Sequence, residues 1–286
     1  MPTSSTSRLL GRRLTAVLDA LPGAQAGDAR AVHQARVASR RLREALPVAG
    51  AAGDGAARRR ARRAARRVTR ALGPVRELDV ALGHLDEIAR RDLAPAAAVA
   101  RVRQALDRQR QARRRDMIDT LTPARVERLR RRLAELGQTL PPPPADRVRA
   151  LAEGDRQIAR RGARLVEAIE RAGGLYLPDR LHAVRIAGKK LRYAIEVRQE
   201  LARSRAARRL DLLKRLQDRL GRMHDLEVLI EHVRIVQAAS AVGARGVSAG
   251  LDAVVRALEG ECRELHAGYM AEREGWVRLA TAAAGT

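Results

Sequence analysis

The feature that most constrains this chain is a pattern that occurs twice. It runs His33-Gln34-Ala35-Arg36-Val37-Ala38-Ser39-Arg40-Arg41-Leu42-Arg43, and again His182-Ala183-Val184-Arg185-Ile186-Ala187-Gly188-Lys189-Lys190-Leu191-Arg192. In both copies a His is followed three residues on by Arg, then by two adjacent bases, an apolar residue and Arg. The copies lie 149 residues apart in a chain of 286, so the sequence reads as a tandem duplication. On a helix, with His33 at zero, Arg36, Arg40 and Arg43 fall at about 300°, 340° and 280°. Val32, Leu42, Ala35 and Leu46 fall at about 260°, 180°, 200° and 220°. Each copy therefore predicts a helix with an apolar stripe beside a stripe of one His and three cations. Arg41 and Lys190 stand apart from that stripe. Like charges three and four residues apart repel on an isolated helix. Keeping that repulsion in both copies implies an anion that relieves it.

A second pair of segments follows the first. Leu72-Gly73 aligns with Leu220-Gly221, and Arg76-Glu77-Leu78-Asp79-Val80 with His224-Asp225-Leu226-Glu227-Val228. Ahead of the first lies an Arg-rich run. Within it Arg60, Arg66 and Arg67 align with bases in the second half, Arg208, Lys214 and Arg215. Arg59, Arg63 and Arg70 align with Ala207, Asp211 and Asp218, which marks them as solvated surface rather than site residues. The acid-x-acid pairs Glu77/Asp79 and Asp225/Glu227 invite a metal or acid–base reading. The plainer reading is that acids favour a first helical turn and pair with nearby Arg.

Composition narrows the partners. The formal charge is +25, and all basic residues except Lys189, Lys190 and Lys214 are Arg. Residues 1–140 carry 31 bases and 14 acids, and residues 141–286 carry 27 and 19, so both halves are basic. Such a balance calls for a polyanion. A coding bias that enriches Arg, Ala and Gly together would raise the total without function. Aromatics are almost absent, with Tyr176, Tyr193, Tyr269, Trp276 and no Phe. That removes the stacking platform on which single-stranded nucleic acid lies. Cys262 is alone, which excludes an internal disulfide and fits a reducing, cytoplasmic setting. The stretch Met1 to Arg13 lacks the apolar run of a signal peptide, and nothing reads as a membrane span. There is no HExxH, paired Cys, Walker-type glycine loop, GxGxxG or GxSxG, so the sequence predicts no cofactor, no metal and no nucleophilic site.

Apolar periodicity predicts helices throughout and no sheet. They are read over residues 7–21, from Asp28 through the first motif, over the Ala/Arg run ending at Leu72-Gly73, and over 96–120 and 123–136. In the second half they are read over 146–172, 178–202, 204–220, 222–240 and 247–280. Pro22-Gly23 is expected to close the first helix, and Pro47 to kink or end the motif helix early. Further breaks are expected at Gly173-Gly174, Gly221 and Gly243. Residues 138–145, with Pro141 to Pro144, form the linker between half one (1–137) and half two (146–286).

The doubled H-x-x-R-hydrophobic-x-x-(R/K)-(R/K)-L-R, each copy followed by LG-x-x-(R/H)-(E/D)-L-(D/E)-V, resembles the CHAD domain, the conserved-histidine α-helical domain. The resemblance spans nearly the whole chain, 1–286. It implies an all-α fold of two pseudo-symmetric four-helix bundles, whose motif helices line a central basic surface. It also implies binding of inorganic polyphosphate and, for some members, residence at polyphosphate granules. By position the binding residues implied are His33, Arg36, Arg40, Arg41 and Arg43, with His182, Arg185, Lys189, Lys190 and Arg192. The aligned bases Arg60, Arg66, Arg67, Arg208, Lys214 and Arg215 join them on the repeat argument. Many relatives are fused to a triphosphate-cleaving CYTH domain, whose ExExK motif is absent here. A non-enzymatic polyphosphate binder is the leading reading. The alternatives are a nucleic-acid backbone binder and a polyphosphate-processing enzyme using the acid-x-acid pairs with Mg²⁺.

Overall fold

Basic residues are spread along every helix of this chain, so the fold depends on apolar stripes that meet across helix pairs. The computed structural model describes the backbone of residues 4–204, 207–240 and 245–285, and their side chains except at 207, 208, 240 and 245–247. Among the described residues the protein is all-helical, without a strand. The helices are α1 (Ser5–Ala26), α2 (Ala29–Ala49), α3 (Gly55–Arg90), α4 (Ala96–Thr120), α5 (Pro123–Gln138), α6 (Ala145–Ala172), α7 (Pro178–Ala202), α8 (Ala207–Ser240) and α9 (Arg245–Ala284). The prolines at 141–144 fall in the connection between α5 and α6, where the sequence places its linker.

Local chemistry sets many of the starts. The Ser4 hydroxyl accepts from Ser7 N at the head of α1. Asp28 accepts from the amides of Arg30 and Ala31 at the head of α2, and Asp54 from those of Ala56 and Ala57 at the head of α3. The stop of α1 is Gly27, in the left-handed region at φ +95°.

The expected breaks at proline and glycine are mostly absent. Pro22 lies inside α1, Pro47 inside α2 and Pro74 inside α3, while α8 runs through Gly221. A proline removes one intrahelical hydrogen bond and crowds the preceding turn. Here burial of the surrounding turns outweighs that penalty. Leu72 and Val75 flank Gly73-Pro74 and are both fully buried, and Val48 and Ala49 beyond Pro47 are too. The expected break at Gly243 lies outside the described residues.

Two apolar cores result. One joins α1, α2, the first half of α3, α5 and Met117, and takes in Ala150, Val197 and Leu201 from α6 and α7. The other joins α6 to α9, and takes in Leu78 to Ile88 of α3 and Ala98 to Leu106 of α4. The 36-residue α3 is thus shared, its first half in one core and its second half in the other. This crossing brings α2 against α7 and α3 against α8.

Polar contacts fix the junction. The Thr6 hydroxyl and amide donate to Asp146 at 2.7 and 3.3 Å. Arg12 and Arg13 both reach Glu200, each at 2.6 Å. Arg161 of α6 donates to Glu44 of α2 at 3.0 Å, and both side chains are only 11% exposed. Arg43 also donates to Glu44, and Arg161 to the Lys190 carbonyl.

Glu44→Ala leaves Arg161 buried without its carboxylate. Stability should fall by about 3–5 kcal/mol, as when one partner of a buried pair is removed. Urea unfolding checks this, and a loss under about 1 kcal/mol, the worth of an exposed pair, would show that the contact does not couple the halves.

Candidate functional site: a basic cleft between four helices

The apolar stripes of the two motif helices are anchored in the cores. Val32, Leu42 and Leu46 of α2 are fully buried, as are Val184 and Leu191 of α7, with Leu181 nearly so. This leaves the adjacent basic stripes facing one another. A cleft of about 260 Å³ opens between α2, α3, α7 and α8. His33, Arg36 and Arg40 line it from α2, and Arg185, Lys189 and Arg192 from α7. Arg76 and Glu77 of α3 and His224 and Asp225 of α8 complete the charged lining, which holds six Arg and Lys against two carboxylates.

Few of these cations are neutralised. Arg185 reaches Asp225 at 3.5 Å, and Arg192 reaches Glu196 at 3.4 Å. Arg36, Arg40, Arg76 and Lys189 make no ion pair among the described residues. The buried Nε of Arg185 and of Arg192 have no hydrogen-bond partner. Burial, then the nearby Arg185, Arg40 and Arg36, drive the Lys189 ammonium down to about 6. Burial and Arg40 hold Arg36 at about 10, opposed in part by Glu77. The cations acting on Lys189 come from both motif helices, so the two copies form one electrostatic unit.

The histidines act as neutral groups at pH 7. Burial lowers His33, with Arg76 and Arg36 adding to the effect. Burial also lowers His182, and takes His224 to about 4 with help from Arg185. His182 Nδ1 stands 3.1 Å from His224 Nδ1, so one ring donates and the other accepts. His182 itself does not line the cleft; it orients His224, which does.

The glycine of the first LG segment makes room for a motif Arg: a Cβ on Gly73 would stand 2.9 Å from Arg36 Nη1. On Gly221 the nearest side-chain atom would be Arg185 Nε at 3.7 Å, an ordinary contact. Gly73 inside α3 therefore serves the cleft rather than ending a helix.

Other residues implied by the motif or repeat lie elsewhere. Arg41 is exposed and 3.9 Å from Glu196, and Arg43 is held by Glu44. Lys190, Arg66, Lys214 and Arg215 are exposed outside the cleft. Arg60 lies 3.7 Å from Glu135, and Arg67 lines a different pocket. The Arg208 side chain lies outside the described residues. Sequence reasoning passed over Arg76 and His224, although the alignment of 76 with 224 was the signal for them. The acid-x-acid pairs split, because residues two apart on a helix point about 200° apart. Glu77 and Asp225 face the cleft, while Asp79 pairs with Arg110 and Glu227 accepts from the Tyr176 hydroxyl. Among the described residues no cluster of three or more His, Cys, Asp or Glu is arranged to hold a metal. None of the described helices is long and apolar enough to cross a membrane.

An all-α protein with two motif helices facing one basic cleft is the class these observations define. The chain belongs to the CHAD domain family, whose model matches residues 8–234. Its fold is similar to the crystal structure of the CHAD domain from the plant Ricinus communis, at 20% identity and TM-score 0.66, covering 97% of this chain and 91% of that one. It is also similar to PptA from Streptomyces chartreusis, at 18% identity and TM-score 0.65, covering 98% and 96%. A search of curated protein sequences found no match.

With only three lysines, the Lys189 ammonium can be followed by NMR in lysine-labelled protein, assigned through Lys190→Arg and Lys214→Arg. One lysine resonance should titrate with a midpoint near 6 and vanish from the spectrum of Lys189→Met. A Lys189 midpoint above 9 would mean that the cleft does not crowd its cations.

Proposed function

We propose that this protein binds inorganic polyphosphate in the cleft between α2, α3, α7 and α8, and does not cleave it. The observation that carries this reading is the convergence of unpaired Arg36, Arg40 and Lys189, from both motif copies, on one half-buried cleft. Such crowding is unfavourable alone and favourable around an anion. Polyphosphate offers a close row of negative oxygens and no bases. Cations at helical spacing stand about 5–6 Å apart, so each motif helix meets successive phosphates. Arg adds forked hydrogen bonding to phosphate oxygens. Many such contacts along one chain act together.

The form of the cleft separates this from nucleic-acid binding. The Arg185 side chain is only 15% exposed. A slender chain reaches it between four helices, whereas a duplex carries its phosphates on the outside of a thick rod. Metal-assisted cleavage by the acid-x-acid pairs is disfavoured because each pair is divided between two faces. Residence at polyphosphate granules in the cytoplasm follows from the same reading.

Arg40→Glu and Lys189→Glu should each weaken polyphosphate binding tenfold or more, and together nearly abolish it. Each change sets an anion beside several phosphates, where a close pair is worth about 4 kcal/mol at an effective dielectric near 20 before screening. Arg63→Glu, an exposed position on α3 outside the cleft, should cost less than threefold. Affinity should fall steeply with salt as counterions are released. Titrations across a salt series decide the matter. Equal losses from Arg63→Glu and Arg40→Glu would mean diffuse attraction to an Arg-rich surface. Stronger competition by duplex DNA than by polyphosphate at matched charge would favour the nucleic-acid reading. Release of phosphate with Mg²⁺, lost in Asp79→Ala or Glu227→Ala, would favour an enzyme.

Binding should also take up protons. Free Lys189 is mostly neutral above about 6, and a bound polyanion favours its charged form. Affinity is therefore highest below about 6 and declines as pH rises past it. Calorimetry near pH 7.5 in buffers of different ionisation enthalpy should show net uptake, reduced in Lys189→Met. No uptake in either protein would show that Lys189 meets the ligand already charged, or not at all.

A further inference from the structure

A second basic pocket lies on a different face of α3. On that helix Arg67, Arg70, Ala71 and Pro74 share an arc of about 100°, centred about 120° from the arc of Arg76, Glu77 and Val80 that faces the central cleft. The pocket has a volume of about 530 Å³ and is closed by α4 and α5. Arg113, Asp116, Met117 and Thr120 come from one face of α4, and Arg125 and Arg128 from one face of α5. Five Arg thus surround a single carboxylate.

An Arg-rich chain could place such a set anywhere by composition alone. A pocket of about 560 Å³ between the end of α3 and the start of α4 shows otherwise. It holds two Arg and two Asp, and is neutral. Nor are the five Arg drawn inward to pair with acids. Arg113 has Asp116 at 3.2 Å, and Arg125 donates to the Thr120 carbonyl at 2.9 Å. Arg67, Arg70 and Arg128 have no ion-pair partner among the described residues. Ala71 and Pro74 supply apolar lining, beside Thr120 and the buried Met117.

We propose that this pocket binds a nucleoside polyphosphate, with the base on the apolar floor and the phosphates among Arg67, Arg70 and Arg128. The volume lies in the range of small-molecule sites, about 300–1,000 Å³. A bare phosphate chain gains nothing from an apolar floor, whereas a base buries one face on it. Guanidinium planes supply flat surfaces for stacking without an aromatic side chain, and the Pro74 ring adds apolar contact. Arg125, fixed to the end of α4, is preorganised at the rim.

The test uses the full chain carrying Arg40→Glu and Lys189→Glu, so that phosphate binding in the central cleft is suppressed. ATP, tripolyphosphate and adenosine are titrated under metal-free conditions. ATP binding should persist in this background and weaken tenfold or more when Arg67→Glu and Arg128→Glu are added. Tripolyphosphate should bind at least fivefold more weakly than ATP, and Ala71→Asn, which sets a neutral polar group on the apolar lining, should weaken ATP without changing tripolyphosphate. Circular dichroism and thermal melting confirm that each variant is folded; Ala71→Ser replaces Ala71→Asn if the latter is not. Equal binding of ATP and tripolyphosphate would make the pocket a site for inorganic anions and overturn the assignment. So would ATP binding that is absent from the cleft-suppressed protein or indifferent to Arg67 and Arg128. None of these results depends on whether the central cleft takes polyphosphate.

Discussion

The structure depends on holding cations together against their own repulsion. Two unit charges of like sign 4 Å apart, at an effective dielectric near 20, oppose each other by about 4 kcal/mol. Against this, burying one large apolar side chain stabilises by roughly 1.5–3 kcal/mol. A few buried residues per motif helix therefore suffice to set the basic stripes face to face. Val32, Leu42 and Leu46 on α2, and Leu181, Val184 and Leu191 on α7, supply them. The carboxylates are distributed to match. Glu44, Glu196 and Glu200 hold peripheral cations such as Arg43, Arg41 and Arg13, while Arg36, Arg40 and Lys189 go without. Burial first, and then the neighbouring Arg185, Arg40 and Arg36, push the Lys189 ammonium down to about 6, so that part of the charge is shed.

Much of this was legible in the sequence, and the reason is geometric. A period of 3.6 residues fixes which side chains share a face, and a twofold motif says that two such faces are alike. The all-α fold and the pairing of Arg36 and Arg40 with Arg185 and Lys189 follow from those facts plus burial. Helix continuity did not follow. Pro74 and Gly221 read as breaks because local propensity disfavours them inside a helix, yet Leu72, Val75, Leu220 and Met223 are buried on either side. The fates of Arg43, Lys190 and Arg67 were equally hidden. Arg43 is held by its own neighbour Glu44, which Arg161 of α6 fixes in place, and Arg67 faces a pocket closed by α4 and α5, contacts between helices that no local pattern names.

The glycines at 73 and 221 show how a residue type can mislead by its commonest use. Glycine usually marks a stop, but both lie inside helices, and Gly73 thins the wall of α3 beneath Arg36. The signal was present in sequence, since both glycines lie at matched positions after a basic run. What was missing was the knowledge that α2 crosses α3 at that level.

The two walls of the cleft are not chemically equal, although their motifs are alike. Beside the first motif His stands Arg76; at the aligned place in the second half stands His224, hydrogen-bonded to His182. The Arg40 position corresponds to Lys189. Arg36 keeps its charge across the physiological range, lowered only to about 10. Lys189 and His224 do not, at about 6 and about 4. Arg185 and Arg192 line the same side, so the second wall sets guanidinium groups beside the Lys189 ammonium. An empty cleft then limits its repulsion through Lys189 and through the histidines of both walls, His33 and His224, all lowered by burial and nearby cations. Under the proposed function, the potential of a bound polyanion would restore the proton on Lys189. The Arg-to-Lys and Arg-to-His differences between the copies thus let a site of high charge stay folded while unoccupied. A cleft with Arg at every one of these positions would have no group able to yield.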